Sequence, residues 1–140
     1  MTNRKLALIA KNQDPLIMAA SETVQRACQR MWNRRVGAVL VLGEDHQLAG
    51  IFTGRDAVRT VAERKNSIKT TLADAMTADP DTISPDQTAI DALRKMSDCG
   101  YRHLPIVANG QIVGIVSRSD FTGAELDRIE GETHLWERIG

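Results

Sequence analysis

The sequence predicts an α/β (α+β) chain of two β-α-β-β-α repeats packed about a pseudo-two-fold axis, and three observations carry this. First, the chain repeats itself at an offset of 64–65 residues: Asp14-Pro15 recurs as Asp79-Pro80, and Thr23, Ala27 and Met31 recur as Thr88, Ala92 and Met96. Second, Val24, Ala27, Cys28 and Met31 stand at i, i+3, i+4 and i+7, one face of a helix, and Ala89, Ala92, Leu93 and Met96 repeat that face. Third, Gln47-Leu48-Ala49-Gly50-Ile51 matches Gln111-Ile112-Val113-Gly114-Ile115, each as the second arm of an apolar hairpin, and Asp56 matches Asp120.

Each repeat opens with a short extended piece after Asp-Pro, Leu16 to Met18 and Asp81 to Ile83. A helix follows. In the second repeat Ser84-Pro85-Asp86-Gln87 predicts its start, with Ser as N-cap, Pro in the first turn and Gln completing a capping box. Two apolar strands come next. Asn109-Gly110 between Leu104–Val107 and Ile112–Val116 is a strong hairpin signal, while the first repeat uses a longer turn, Gly43 to His46. Their near-continuous Val, Ile and Leu content predicts strands buried on both faces, or on one face plus the partner repeat. A closing helix runs from about Asp56 to Lys65, and its counterpart starts near Asp120. Asn66 to Thr71 is a polar linker. The expected boundaries are 1–66 for the first repeat, 71–125 for the second and 126–140 for an acidic helical tail. In that tail Thr122-Gly-Ala-Glu125 caps a helix running to about Glu130, and Gly131 interrupts it. Leu126 and Ile129 lie on one face, and Leu135, Trp136 and Ile139 follow as candidates for packing on the core or on a partner chain.

Composition narrows the function. The chain has 140 residues, with 18 Lys+Arg balancing 18 Asp+Glu. Zero net charge argues against broad, nonspecific nucleic-acid binding, which needs a positive field. The balance hides a polarity: residues 1–70 carry twelve bases and six acids, and residues 71–140 the reverse. This suggests opposite surfaces that meet within or between chains, with head-to-tail pairing as one expectation. Runs such as Ala38 to Leu42 are too short to cross a bilayer, and Leu6 to Ala10 is too short for a signal peptide's apolar region. Two cysteines, Cys28 and Cys99, make no disulfide framework, so a reduced, cytoplasmic setting is expected. His46, His103 and His134 are scattered, no Cys/His spacing suits a metal, and no Walker-type phosphate loop is present. Neither a catalytic constellation nor a catalytic cofactor is expected.

Gly37-Ala38-Val39-Leu40-Val41 and Gly50-Ile51-Phe52-Thr53-Gly54-Arg55-Asp56 in the first repeat resemble the tandem CBS-domain pair, or Bateman module. The second repeat resembles it more fully, through Asp74-Ala75-Met76-Thr77, Gly100-Tyr101-Arg102-His103-Leu104-Pro105-Ile106-Val107 and Gly114-Ile115-Val116-Ser117-Arg118-Ser119-Asp120. The resemblance spans about residues 10–125 and is similar to the stand-alone CBS-pair proteins of bacteria. It implies a non-enzymatic regulatory module that binds AMP, ADP, ATP, NAD or S-adenosylmethionine in clefts between the repeats. It also implies a disc-like homodimer and an unidentified regulated protein. A dimerisation scaffold with vestigial clefts is the alternative.

Thr53-x-x-Asp56 and Ser117-x-x-Asp120 are the candidate ligand-binding motifs, each following a strand and opening a helix. Free N–H groups at a helix start attract phosphate, the hydroxyl can donate to it, and the carboxylate one turn on can accept from ribose hydroxyls. The same residues also make a plain helix cap. Ile17 and Met18, and Thr82 and Ile83, are candidates for the adenine slot, with Ile83 equally a core residue. Val36 and Ala38, and Tyr101 and His103, add strand entries, and Pro105 belongs to the fuller motif. Arg55, Arg59, Arg102 and Arg118 are the candidate phosphate-binding cations, and Gly54 and Gly100 would allow close backbone approach. The first repeat lacks the Pro and a counterpart of Asp74-Ala75-Met76, so one strong and one weak or empty site is expected.

Overall fold

Apolar runs of five to seven residues form strands here, and i, i+3, i+4 faces form helices. The computed structural model describes residues 3–99 and 101–139, with backbone alone over 133–139. The elements are α1 (Leu6–Ala10), β1 (Ile17–Ala19), α2 (Val24–Arg34), β2 (Ala38–Leu42), β3 (Leu48–Thr53), α3 (Gly54–Ala62), α4 (Leu72–Ala75), β4 (Thr77–Ala78), α5 (Ala89–Cys99), β5 (His103–Ala108), β6 (Gln111–Ser117), a 3-10 turn (Arg118–Asp120) and α6 (Gly123–Ile139).

They form two compact units. The central unit is Asp14–Asp81; the composite unit joins Met1–Gln13 to Thr82–Gly140. In the central unit β1 to β4 make one sheet in sequence order, with β1 parallel to β2 and the other pairs antiparallel. Strand period two sends alternate residues to opposite faces, so Met18 is 2% exposed and Ile17 is 37% exposed. Met18 packs with Leu16, Val24, Ala27, Val39 and Phe52 in the core of this unit. In the composite unit β5 and β6 pair around Asn109-Gly110, whose φ values of 53° and 78° suit the tight turn expected. Ile83 makes a single parallel bridge to Ile106, so the second repeat keeps one bridge of the β1 pairing rather than a strand.

The two repeats exchange their leading helices. Leu72 N donates to Glu22 O (2.8 Å), Val24 N to Thr70 O (2.9 Å) and Ala73 N to Ala20 O (2.9 Å). The composite unit repeats this pattern with Leu6 N to Gln87 O (2.8 Å), Ala89 N to Arg4 O (2.7 Å) and Ala7 N to Pro85 O (3.0 Å). Leu6 and Leu72 are both fully buried. Thus α1 is the counterpart of α4 that the sequence comparison did not find; it is set off by 66 residues rather than 65 and shares little sequence. Gly50 and Gly114 are needed where these helices come close. A Cβ at Gly50 would lie 2.4 Å from Met76 Sδ, and one at Gly114 would lie 2.8 Å from Ala10 Cβ. Beyond Ala10, the Gln13 side chain takes up part of the place that β4 fills in the central unit, accepting from Ile115 N at 2.9 Å.

Two local expectations are corrected. Helix α5 starts at Ala89, and its reciprocal cap is Thr88 with Asp91: Asp91 N donates to Thr88 Oγ1 at 3.2 Å and Thr88 N to Asp91 Oδ2 at 3.0 Å. The Ser84–Gln87 bonds exist, with Ser84 N donating to Gln87 Oε1 and Asp86 N to Ser84 Oγ, but they close a turn before the helix. Helix α6 runs through Gly131 to Ile139. A single glycine costs a helix only about 1 kcal/mol. Leu126 and the buried Ile129 pack α6 on the composite core, and Arg94 on α5 binds Glu132 in a fork of 3.1 and 2.8 Å. His134, Leu135, Trp136 and the side chain of Ile139 lie outside the described side chains.

Candidate functional site

The two hydroxyl-x-x-Asp motifs arise in the same way. In each, the chain leaves the second hairpin strand and its next N–H is tied to the preceding strand entry: Gly54 N to Gly37 O (3.2 Å) and Arg118 N to Arg102 O (3.3 Å). In each, the Asp carboxylate turns back to the hydroxyl residue's own N–H. Thr53 N reaches Asp56 Oδ2 at 2.9 Å, and Ser117 N reaches Asp120 Oδ2 at 2.7 Å. The capping reading is therefore right for both.

From there the motifs diverge. Asp56 is 4% exposed and opens the full helix α3. Its other oxygen, Oδ1, meets Arg59 Nη2 at 3.1 Å and accepts from Thr77 Oγ1 at 3.3 Å. Arg59 also donates to Ala75 O at 2.6 Å, so this side chain clasps α3 to α4. Asp120 is half-buried and closes a 3-10 turn of three residues, after which Phe121 is extended. The expectation that Ser117-x-x-Asp120 opens a helix is thus corrected. Among the described residues, Asp120 Oδ1 receives no hydrogen bond and no ion pair. The cause is legible on comparing repeats: Gly123 stands where the first repeat has Arg59, and Lys11 where it has Thr77.

Of the predicted residues, Ser117 and His103 lie beside Asp120. His103 pairs in register with Ser117, at the entry of β5. Burial pushes the His103 imidazole below its ordinary pKa; Asp120 opposes this and Arg102 reinforces it. Ser117 Oγ lies 3.2 Å from Asp120 Oδ2 and 3.0 Å from Ser119 Oγ. Arg102 and Arg118 are exposed, and Tyr101 is 37% exposed. Thr82 is half-buried, and its carbonyl accepts from Lys95 Nζ at 2.8 Å.

Other predicted residues are placed elsewhere. Met18 and Ile83 face the cores, which leaves Ile17 and Thr82 as the reachable members of each pair. Pro105 is buried in β5 opposite Ile115. Ala38 is 7% exposed and sits opposite Thr53 on β2, while Val36 and Arg55 are exposed. A Cβ at Gly54 would meet no protein atom within 4 Å, so no contact within the chain requires glycine there. Gly100 lies outside the described residues. No group of three His, Cys, Asp or Glu side chains is gathered for a metal among the described residues.

Sequence reasoning missed Arg4. Its Nε and Nη2 grip Glu125 at 3.1 and 2.7 Å, and Nη2 also donates to Asp120 O at 2.9 Å. No local signal links residues this far apart in the chain.

Two units with matching hairpins and hydroxyl-x-x-Asp turns define a tandem-repeat class, and the comparisons identify it. The CBS domain model matches residues 9–63 and 72–127, so the chain belongs to the CBS-domain family. It is 35% identical over 102 residues to the CBS domain-containing protein CBSCBSPB1 of Arabidopsis thaliana, covering 72% of this chain and 19% of that one. The chain spans about a fifth of the length of those plant relatives. It is 33% identical over 112 residues to an uncharacterized 17.7 kDa protein of Acidianus ambivalens, covering 79% of this chain and 67% of that one. Among solved structures, a CBS-domain containing protein from Agrobacterium tumefaciens matches with TM-score 0.74 and 29% identity, covering 81% of this chain and 86% of that one. A CBS domain protein from Pyrobaculum aerophilum, complexed with AMP, matches in fold with TM-score 0.81 and 22% identity over 91% of this chain and 98% of that one. The CBS domain pair of protein MJ0100, complexed with 5′-methylthioadenosine and S-adenosyl-L-methionine, matches in fold with TM-score 0.77 and 21% identity over 94% and 99%. No helix among the described residues is long and apolar enough to cross a membrane.

Proposed function

We propose that this chain is a non-catalytic regulatory module that binds one adenosyl compound (AMP, ADP, ATP, NAD or S-adenosylmethionine) at the second repeat and passes its occupancy to another protein. The observation that carries this reading is the difference between the two carboxylates: Asp56 is buried and bound by Arg59 and Thr77 through Oδ1, while among the described residues Asp120 is bound through Oδ2 alone, and Arg102 and Arg118 of the same repeat are exposed. A carboxylate with a free oxygen can accept from two ribose hydroxyls, and Arg118 or Arg102 can grip phosphate through a planar fork. Thr82, Tyr101 and His103 are the residues offered to the base. The AMP and S-adenosylmethionine complexes of fold neighbours support this ligand class. Linkage supplies the mechanism: a ligand that favours one arrangement of the module shifts its population toward it, and a partner reads the shift.

Calorimetric titration with these five compounds tests the reading. The expected result is one equivalent per chain for at least one compound, lost in Asp120→Ala. Binding by none of them would leave the scaffold alternative. Homodimerisation is part of the proposal and is supported by an exposed apolar groove on the central unit. Cys28 and Trp32 of α2 and Ala57 and Val61 of α3 line this groove, with Trp32 84% exposed.

A further inference from the structure

Asp120 closes a turn of only three residues, and Phe121 N to Arg118 O, at 3.5 Å, is a long bond. The equivalent Asp56 is held differently: it lies inside a nine-residue helix, and its carbonyl accepts from Thr60 Oγ1 at 2.9 Å. A site that must match ribose and phosphate needs its carboxylate held within about 0.5 Å. A bare 3-10 turn does not supply that rigidity.

Arg4 replaces the missing helix. Its Nη2 donates to Asp120 O at 2.9 Å, and its fork is closed on Glu125. Glu125 Oε1 in turn accepts from Thr122 N at 2.8 Å, in the cap of α6. The backbone of this arm is fixed as well, with Ala89 N donating to Arg4 O at 2.7 Å and Ile90 N to Asn3 Oδ1 at 3.4 Å. The planar guanidinium is therefore held by three hydrogen bonds to two partners and partly shielded, at 29% side-chain exposure, with Glu125 at 9%. Such forks carry geometric specificity as well as energy.

We propose that Arg4 is a positioning residue of the adenosyl site: through Asp120 O it sets the turn that aims the Asp120 carboxylate and Arg118 at the ligand. This rests on the functional reading above. It makes the N-terminal arm part of the second repeat's site, although 113 positions of sequence separate Arg4 from Ser117.

The test uses the full chain with Arg4→Ala, Arg4→Lys and Glu125→Gln. AMP affinity is read by calorimetry, thermal midpoint by circular dichroism, and hydrogen–deuterium exchange of residues 114–121 in the free protein by mass spectrometry. Arg4→Ala is expected to weaken AMP binding about tenfold and to speed exchange in 117–121, leaving 103–108 protected. Glu125→Gln, which spares the Asp120 contact, is expected to lower the midpoint but hold affinity within about twofold. Arg4→Lys keeps one donor and is expected to recover part of the affinity. Equal loss of midpoint in Arg4→Ala and Glu125→Gln with unchanged AMP affinity would overturn the proposal, leaving a purely structural clasp. If the wild-type chain bound none of the adenosyl compounds, the functional reading would fall and the ligand-positioning role with it. Exchange in 117–121 would then still report separately whether Arg4 holds the turn.

Discussion

Asp56 and Asp120 occupy equivalent places in the repeat and are held differently, because Arg59 stands three residues beyond one and Gly123 beyond the other. Replacing Asp56 with Ala removes an acceptor used by Thr53, Thr77 and Arg59. It is expected to lower unfolding free energy by about 1–3 kcal/mol. A urea titration checks this, and the ligand stoichiometry of the folded fraction is expected to be unchanged. His103 gives a pH test. Its folded pKa lies below the ordinary value, so the unfolded chain takes up the proton first as pH falls. Stability is therefore full at pH 7.5 and declines as pH drops below about 6.5 and on through the folded pKa. Urea midpoints at pH 7.5, 6.5 and 5.5 should show this decline, and His103→Gln should flatten it. Glu125, held low by Arg4, adds a loss of the same sign in the more acidic range, below about 4.5. At this scale the sequence offers candidates for chemistry, since hydroxyl, Asp and Arg types at fixed spacing are visible in a string. It did not show which carboxylate was already satisfied. Thr77 lies 21 positions beyond Asp56 and Arg4 lies 116 before Asp120, and only folding brings them together.

Elements were legible where a period or a turn dipeptide marked them. The apolar faces of α2 and α5 and the Asn109-Gly110 hairpin fall where the pattern puts them. Where two signals lie side by side, packing decides between them. Ser84-Pro85-Asp86-Gln87 and Thr88-x-x-Asp91 both read as caps, and the second wins because Ala89, Ile90 and Leu93 behind it reach the core. Thr88→Ala is expected to cost about 1 kcal/mol in a denaturant titration, and Gln87→Ala much less. The cap bonds also hold the Asp91 carboxyl below its usual range, so the Thr88 contribution weakens with acid. Gly131 was expected to break the tail, yet it sits within α6 with open space where a Cβ would go. Gly131→Ala is expected to stabilise by about 0.5–1 kcal/mol, read as a higher thermal midpoint.

For the whole molecule, exchange of the leading helices changes the meaning of the charge. By sequence halves the chain is basic then acidic. By compact units the polarity vanishes: Asp14–Asp81 carries nine bases and nine acids, and so does Met1–Gln13 with Thr82–Gly140. Arg4, Lys5 and Lys11 travel with the N-terminal arm into the second repeat's unit, and Asp74, Asp79 and Asp81 remain with the first. The head-to-tail charge pairing expected from the halves loses its basis. The repeat itself was readable because identities and apolar positions recur in register. The exchange was not, because α1 and α4 share only the dipeptide Leu-Ala, too short a match to mark a repeat. The central claim is that the second repeat alone binds ligand, through Asp120. Calorimetry of the wild type, Asp56→Ala and Asp120→Ala against an adenosyl compound that binds tests it most directly. The account predicts one equivalent per chain for the wild type and for folded Asp56→Ala, and none for Asp120→Ala. Retained binding in Asp120→Ala, or two equivalents in the wild type, would contradict it.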